Sequence, residues 1–82
     1  MEQLLNETIK AALKLFPGLP IRVWYVKVGE RSWKAFVINV SNKIVLAKGA
    51  VRASPEAAVN AVKIQFENIV GRSKTSWILV LQ

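Results

Sequence analysis

The stretch from Gly49 to Val62 (Gly-Ala-Val-Arg-Ala-Ser-Pro-Glu-Ala-Ala-Val-Asn-Ala-Val) constrains this chain more than any other. It contains the signals for ending a strand and starting a helix within a few residues. Ser54 is suited to the N-cap, where its hydroxyl accepts a bond from an orphan amide of the first turn. Pro55 fits the first helical position, since its missing N–H costs nothing there and its φ is already helical. Glu56 adds a negative charge at the positive end of the helix dipole. A β-to-α transition is therefore expected at Ser54.

The rest of the chain is read outward from that point. Glu2 to Phe16 has Leu5, Ile9, Ala12, Leu13 and Phe16 at helical spacing, which predicts an amphipathic helix stopped by Pro17-Gly18. Ile21 to Val28 is rich in β-branched and aromatic residues and reads as a strand, with Trp24, Val26 and Val28 on one face and Val23, Tyr25 and Lys27 on the other. Gly29-Glu30-Arg31-Ser32 is expected to be a four-residue hairpin loop. Trp33 to Val40 is then the return strand, Ser41-Asn42 a tight turn, and Lys43 to Val51 a third strand bent at Gly49. The second helix is expected over Ser54 to Val70, burying Ala58, Val59, Val62, Phe66, Ile69 and Val70 and closing at Gly71. Glu56, Asn60, Lys63 and Glu67 should face water. Trp77 to Leu81 reads as a short final strand.

The expectation is one α+β domain over residues 1–82, in the order αβββαβ: an antiparallel meander with two helices on one face. A right-handed crossover through the second helix would return the last strand beside the first, giving strand order 4-1-2-3.

Composition narrows the function. There is no cysteine, no histidine and no aspartate. Thiol nucleophiles, imidazole bases and zinc ligands are thereby removed, and five glutamates remain without an evident pairing for acid–base work. An enzyme, a metal site and a cofactor are not expected. The four glycines are dispersed, so no phosphate-cradling glycine loop is present. Twelve Lys and Arg against five Glu give a net charge of +7, which points to an anionic partner, nucleic acid before membrane. No apolar run approaches the ~18 residues of a membrane span, and Met1-Glu2-Gln3 does not open a signal peptide, so an intracellular protein is expected.

The candidate phosphate contacts are Arg31 and Lys34 at the first hairpin loop, Lys48, Arg52 and Ser54 at the approach to the second helix, and Arg72 and Lys74 before the last strand. Arg52 beside a capped helix start is the most specific combination, because guanidinium and amides would converge on one phosphate. Trp24, Trp33 and Trp77 fall on expected strands, where they either stack bases or pack the core. The return strand is apolar on both faces: Trp33, Ala35 and Val37 on one, Phe36, Ile38 and Val40 on the other. Two helices cover only one face. The other is expected to meet a second copy, a ligand or solvent, and a homodimer is the expected assembly.

With the helix start in view, the chain resembles a double-stranded RNA-binding domain. Leu5-Asn6-Glu7 matches the Leu-Asn-Glu element of that family's first helix. Pro20 to Tyr25 echoes its lead into the first strand, and Phe36-Val37-Ile38-Asn39-Val40 resembles its second. Gly49 leading to Ser54-Pro55-Glu56-Ala57-Ala58 stands where the family passes through glycine into a lysine-rich helix start. The resemblance covers about residues 4–70 and implies an αβββα fold and RNA binding. Pro55, Glu56 and Ala58 replace the lysines that grip phosphate in the family, and Gly29-Glu30-Arg31-Ser32 lacks its Gly-Pro-x-His loop. The βββαβ core is also similar to the partial RNase-H-like fold of HicB-type antitoxins, which implies a protein partner. The reading taken forward is a basic, non-enzymatic nucleic-acid-binding protein that contacts the phosphate backbone. The alternative is an interaction module for an acidic protein.

Overall fold

Five elements carry the chain: α1 (Glu2–Leu15), β1 (Ile21–Gly29), β2 (Ser32–Asn39), β3 (Ile44–Lys48) and α2 (Pro55–Leu81). The computed structural model describes the backbone of residues 1–81 and the side chains of residues 1–71. The fold is α+β. Its sheet has three antiparallel strands in the order β1-β2-β3.

The transition at Ser54 forms as the local chemistry requires. Helix α2 starts at Pro55, and the Ser54 hydroxyl oxygen accepts the Ala57 amide at 3.1 Å. The Ala58 amide closes the first helical turn on the Ser54 carbonyl at 3.0 Å. Helix α1 ends at Leu15, and Gly18 follows with φ +81, a left-handed conformation that favours glycine.

The core lies between the helices and one sheet face. Val23 of β1 and Ala35 and Val37 of β2 are buried with Ala58, Val59, Val62 and Phe66 of α2 and Ala11 and Ala12 of α1. The Phe66 ring meets Phe16 edge-on at 6.4 Å. The buried stripe of α1 is Thr8, Ala11 and Ala12, with Leu5, Ile9 and Phe16 only partly covered. Small side chains at the centre of the stripe let the two helices approach closely. Thr8 is fully buried because its hydroxyl donates to the Leu4 carbonyl at 2.8 Å within its own helix.

Several expectations are corrected. The hairpin loop has two residues, Glu30 and Arg31, because Gly29 and Ser32 already pair. The β2–β3 connection runs from Val40 to Lys43, and Lys43, not Asn42, takes the left-handed φ of 60. The Asn39 and Asn42 side-chain oxygens instead accept the Ser41 and Ile44 amides, both at 3.0 Å, and pin the turn. Strand β3 stops at Lys48. After Gly49 and two further residues the chain rejoins the sheet, where Arg52 exchanges two backbone hydrogen bonds with Trp33 at 2.7 and 2.8 Å.

Gly49 is needed for space rather than for an unusual dihedral. A Cβ there would lie 2.6 Å from Cγ2 of Val62. Lys63 is half-buried rather than water-facing, because its ammonium bridges Glu7 of α1 at 3.4 Å and Glu67 at 4.0 Å.

The backbone of α2 passes through Gly71, which does not close it, and continues to Leu81. The strand expected over Trp77 to Leu81, and with it the order 4-1-2-3, is not part of the three-stranded sheet.

Candidate nucleic-acid interface

The sheet has one covered face and one open face, and strand alternation sorts the residues between them. Val23, Ala35 and Val37 point toward the helices, so their neighbours Arg22, Trp24, Val26, Lys34, Phe36 and Ile38 point away. Pairing then sets these side chains in rows. Trp24 faces Phe36, which faces Lys48. Arg22 faces Ile38, which faces Val45. Val26 faces Lys34.

Trp24 is 51 % exposed and Val26, Val40 and Val45 are also uncovered. The Lys34 ammonium stands 5.8 Å from the centre of the Phe36 ring, a cation–π contact on the solvent side of the sheet. Beside Trp24 is a depression of about 320 Å³ lined by Arg22, Trp24, Ile38, Val40 and Lys43. Four cations, Arg22, Lys34, Lys43 and Lys48, thus stand around the exposed Trp24 and the partly covered Phe36. Among the described residues no glutamate lies on the three strands: Glu2 and Glu7 lie in α1, Glu56 and Glu67 in α2, and Glu30 in the β1–β2 turn.

The sequence candidates divide among different places. Lys34 and Lys48 belong to the open face. Trp24 is there too, whereas Trp33 points inward with Ala35 and Val37. It packs against the core and against the Tyr25 ring, 6.2 Å away. Trp33 therefore packs, partly buried, at the edge of the core, on the side its register with Ala35 and Val37 sets. Arg31 in the turn and Arg52 opposite Trp33 stand at the same end of the sheet.

At the start of α2 the supply of anion-binding amides is small. Pro55 has none, Ala57 is taken by the Ser54 hydroxyl, and Glu56 brings its own carboxylate. The Arg52 guanidinium donates to the Val51 carbonyl at 3.2 Å. Arg72, Lys74 and Trp77 have side chains outside the described residues.

A second concavity, about 310 Å³, lies along the helices and is lined by Glu7, Lys10, Ala11, Lys14, Glu67 and Val70. Its charges are mixed, and two of its members are carboxylates. It lacks the single-sign character of the open sheet face.

Arg22 and Lys43 are the residues that sequence reasoning did not single out, and Phe36 was read only as part of the uncovered apolar face. Arg22 shares strand parity with Trp24, and Phe36 shares it with Lys34, so alternation alone carried that signal. Lys43 is brought to the face by the geometry of its turn, and no sequence pattern marks it. No protein-family model, curated protein or solved structure matches the chain.

Proposed function

We propose that this protein is a non-enzymatic nucleic-acid-binding domain that contacts the phosphate backbone with its open sheet face. The observation that carries the reading is the carboxylate-free set of Arg22, Lys34, Lys43 and Lys48 around Trp24 and Phe36. Clustered cations of one sign attract a polyanion and release its condensed counterions on contact. Arg31 adds a cation in the turn, next to Glu30, whereas Arg52 is paired with Trp33 and so belongs to the side of the sheet that Trp33 faces.

One observation favours a protein partner as a second reading. Trp24, Val26, Val40 and Val45 leave an apolar area uncovered, and such areas mark contact surfaces. A homodimer built by apposing two open faces is opposed by charge. A two-fold interface places the same patch on both sides, so eight cations, four from each copy, would meet with no carboxylate between them. The partner that satisfies both charge and apolar surface is anionic and carries flat hydrophobic groups. Nucleic acid fits that description.

Binding to mixed-sequence DNA and RNA, titrated over a range of salt, tests the reading. Log K should fall linearly with log salt, and Lys34→Ala, Lys48→Ala or Arg22→Ala should each weaken binding to all sequences alike and lower the slope by about one. Lys63→Ala is the control, because Lys63 is committed to Glu7 across the helix pair and to Glu67 one turn along its own helix. No binding at low salt to any nucleic acid refutes the reading. An effect of Lys63→Ala equal to that of Lys34→Ala refutes the localised site.

A further inference from the structure

We infer that the ligand of the open face is single-stranded nucleic acid, held by stacking an unpaired base on Trp24 while Arg22, Lys34, Lys43 and Lys48 hold the flanking phosphates. This rests on the nucleic-acid reading above and adds the class of ligand and the way it is gripped.

The argument starts from what a duplex can and cannot use. A duplex presents phosphates outward and keeps the flat faces of its bases stacked inside. Cations alone are enough for it, and an exposed tryptophan beside them would gain nothing from a base face. A single strand offers both phosphates and free base faces. The open face has a group for each. Trp24 is half-exposed at the centre of the β1–β2 rows, directly across from Phe36. The Lys34 ammonium already occupies space over the Phe36 ring, which leaves Trp24 as the more open stacking surface. The depression next to Trp24 is lined by the apolar Ile38 and Val40 and by two cations, Arg22 and Lys43. That arrangement suits a flat apolar group with a negative charge at each end, as a nucleotide within a strand presents.

The location of the cations fits a path as well as a point. Arg22 belongs to the row of Ile38, Trp24 to the row of Phe36 and Lys48, and Lys34 to the next row along. A backbone crossing these rows meets a cation before and after the stacked base. None of the five glutamates lies on that route.

Equilibrium binding with a labelled twelve-nucleotide single strand and its blunt duplex, followed also by intrinsic tryptophan fluorescence, tests the inference. The wild-type protein should prefer the single strand, and single-strand binding should quench its fluorescence. Trp24→Ala should weaken single-strand binding by between about fivefold and a hundredfold, the range of one base–aromatic stack. The same variant should leave the salt slope unchanged, because no phosphate contact is lost. Trp24→Phe should keep most of the affinity and lose the quenching, which assigns the signal to this ring rather than to Trp33 or Trp77. The position is exposed, so both variants should fold, and far-ultraviolet circular dichroism checks this.

Equal affinity for duplex and single strand with no effect of Trp24→Ala overturns the stacking inference and leaves the phosphate reading standing. No binding of either oligonucleotide overturns both. If Trp24→Ala converts a dimer to a monomer in sedimentation and oligonucleotide binding is unaffected by it, the ring serves self-association and the stacking inference fails.

Discussion

Gly49 supplies the most direct test of how the sheet and α2 fit together. An ideal Cβ on Gly49 would lie 2.6 Å from Val62 Cγ2, 3.5 Å from the Ala58 carbonyl oxygen and 3.7 Å from the Ala35 carbonyl oxygen. Carbon atoms in good contact sit at about 3.5–4.0 Å, so the methyl of Gly49→Ala arrives about 1 Å too close to one partner only. Val62 cannot easily turn away. It is fully buried, and a β-branched side chain in a helix has one strongly preferred rotamer. Overpacking of this kind costs about 1–3 kcal/mol, while replacing glycine by alanine returns about 0.4–1 kcal/mol by restricting the unfolded chain.

The net expectation is a loss of about 1–2 kcal/mol for Gly49→Ala. Val62→Ala alone removes two buried methyl groups and should cost about 2 kcal/mol, transfer and cavity together. In the double variant the new methyl enters space that the valine has vacated. Gly49→Ala should then cost about 0.5 kcal/mol or less, so the cycle yields a favourable coupling of about 0.5–2 kcal/mol. Urea unfolding followed by circular dichroism measures all four proteins, with a constant m-value as the check that only stability has changed. If Gly49→Ala costs the same in both backgrounds, Val62 is not what excludes a side chain at position 49, and the reasoning is wrong.

Two further outcomes are expected. Ser54→Ala removes the hydroxyl that accepts the Ala57 amide and should cost about 1 kcal/mol in urea unfolding, whereas Ser54→Asp, another good cap, should cost little. Lys43→Gly should raise stability by about 0.5–1 kcal/mol, because left-handed strain of about 1–2 kcal/mol at φ 60 outweighs the freedom that glycine gains in the unfolded chain. The same substitution should weaken oligonucleotide binding, since it removes a cation from the depression beside Trp24. Stability and affinity moving in the same direction would count against one of the two roles given to Lys43.

Gly18 and Gly49 show two different reasons for the same residue. Gly18 has φ +81 and open space around its α-carbon, so its need is conformational. Gly49 has no such dihedral and is needed because a neighbouring helix leaves no room. The Pro17-Gly18 pair marks the first case in the sequence by itself. Val62 lies thirteen residues beyond Gly49, and only docking α2 onto the sheet reveals the second.

What the sequence determined is what short-range chemistry controls. Ser54-Pro55-Glu56 sets the start of α2 because capping and proline geometry act within one turn. Alternation in β1 separates Val23 from Trp24, and in β2 separates Ala35 and Val37 from Phe36 and Ile38, because successive strand residues must point to opposite faces; which set meets the helices is decided by packing. The excess of cations and the absence of His, Cys and Asp belong to composition and need no fold. Tertiary structure decided the rest, since the deciding partners are distant in the chain. Pairing of Gly29 with Ser32 shortens the first hairpin loop, and pairing of Arg52 with Trp33 returns the chain to the sheet after Gly49. Packing α1 against α2 brings Glu7 to Lys63 and takes that lysine out of the free positive charge. Stacking three strands side by side gathers Arg22, Lys34, Lys43 and Lys48 around Trp24, while the glutamates stay in the helices and the β1–β2 turn. Each of those cations is an ordinary surface charge along the chain, and strand register, with the β2–β3 turn for Lys43, makes them one face.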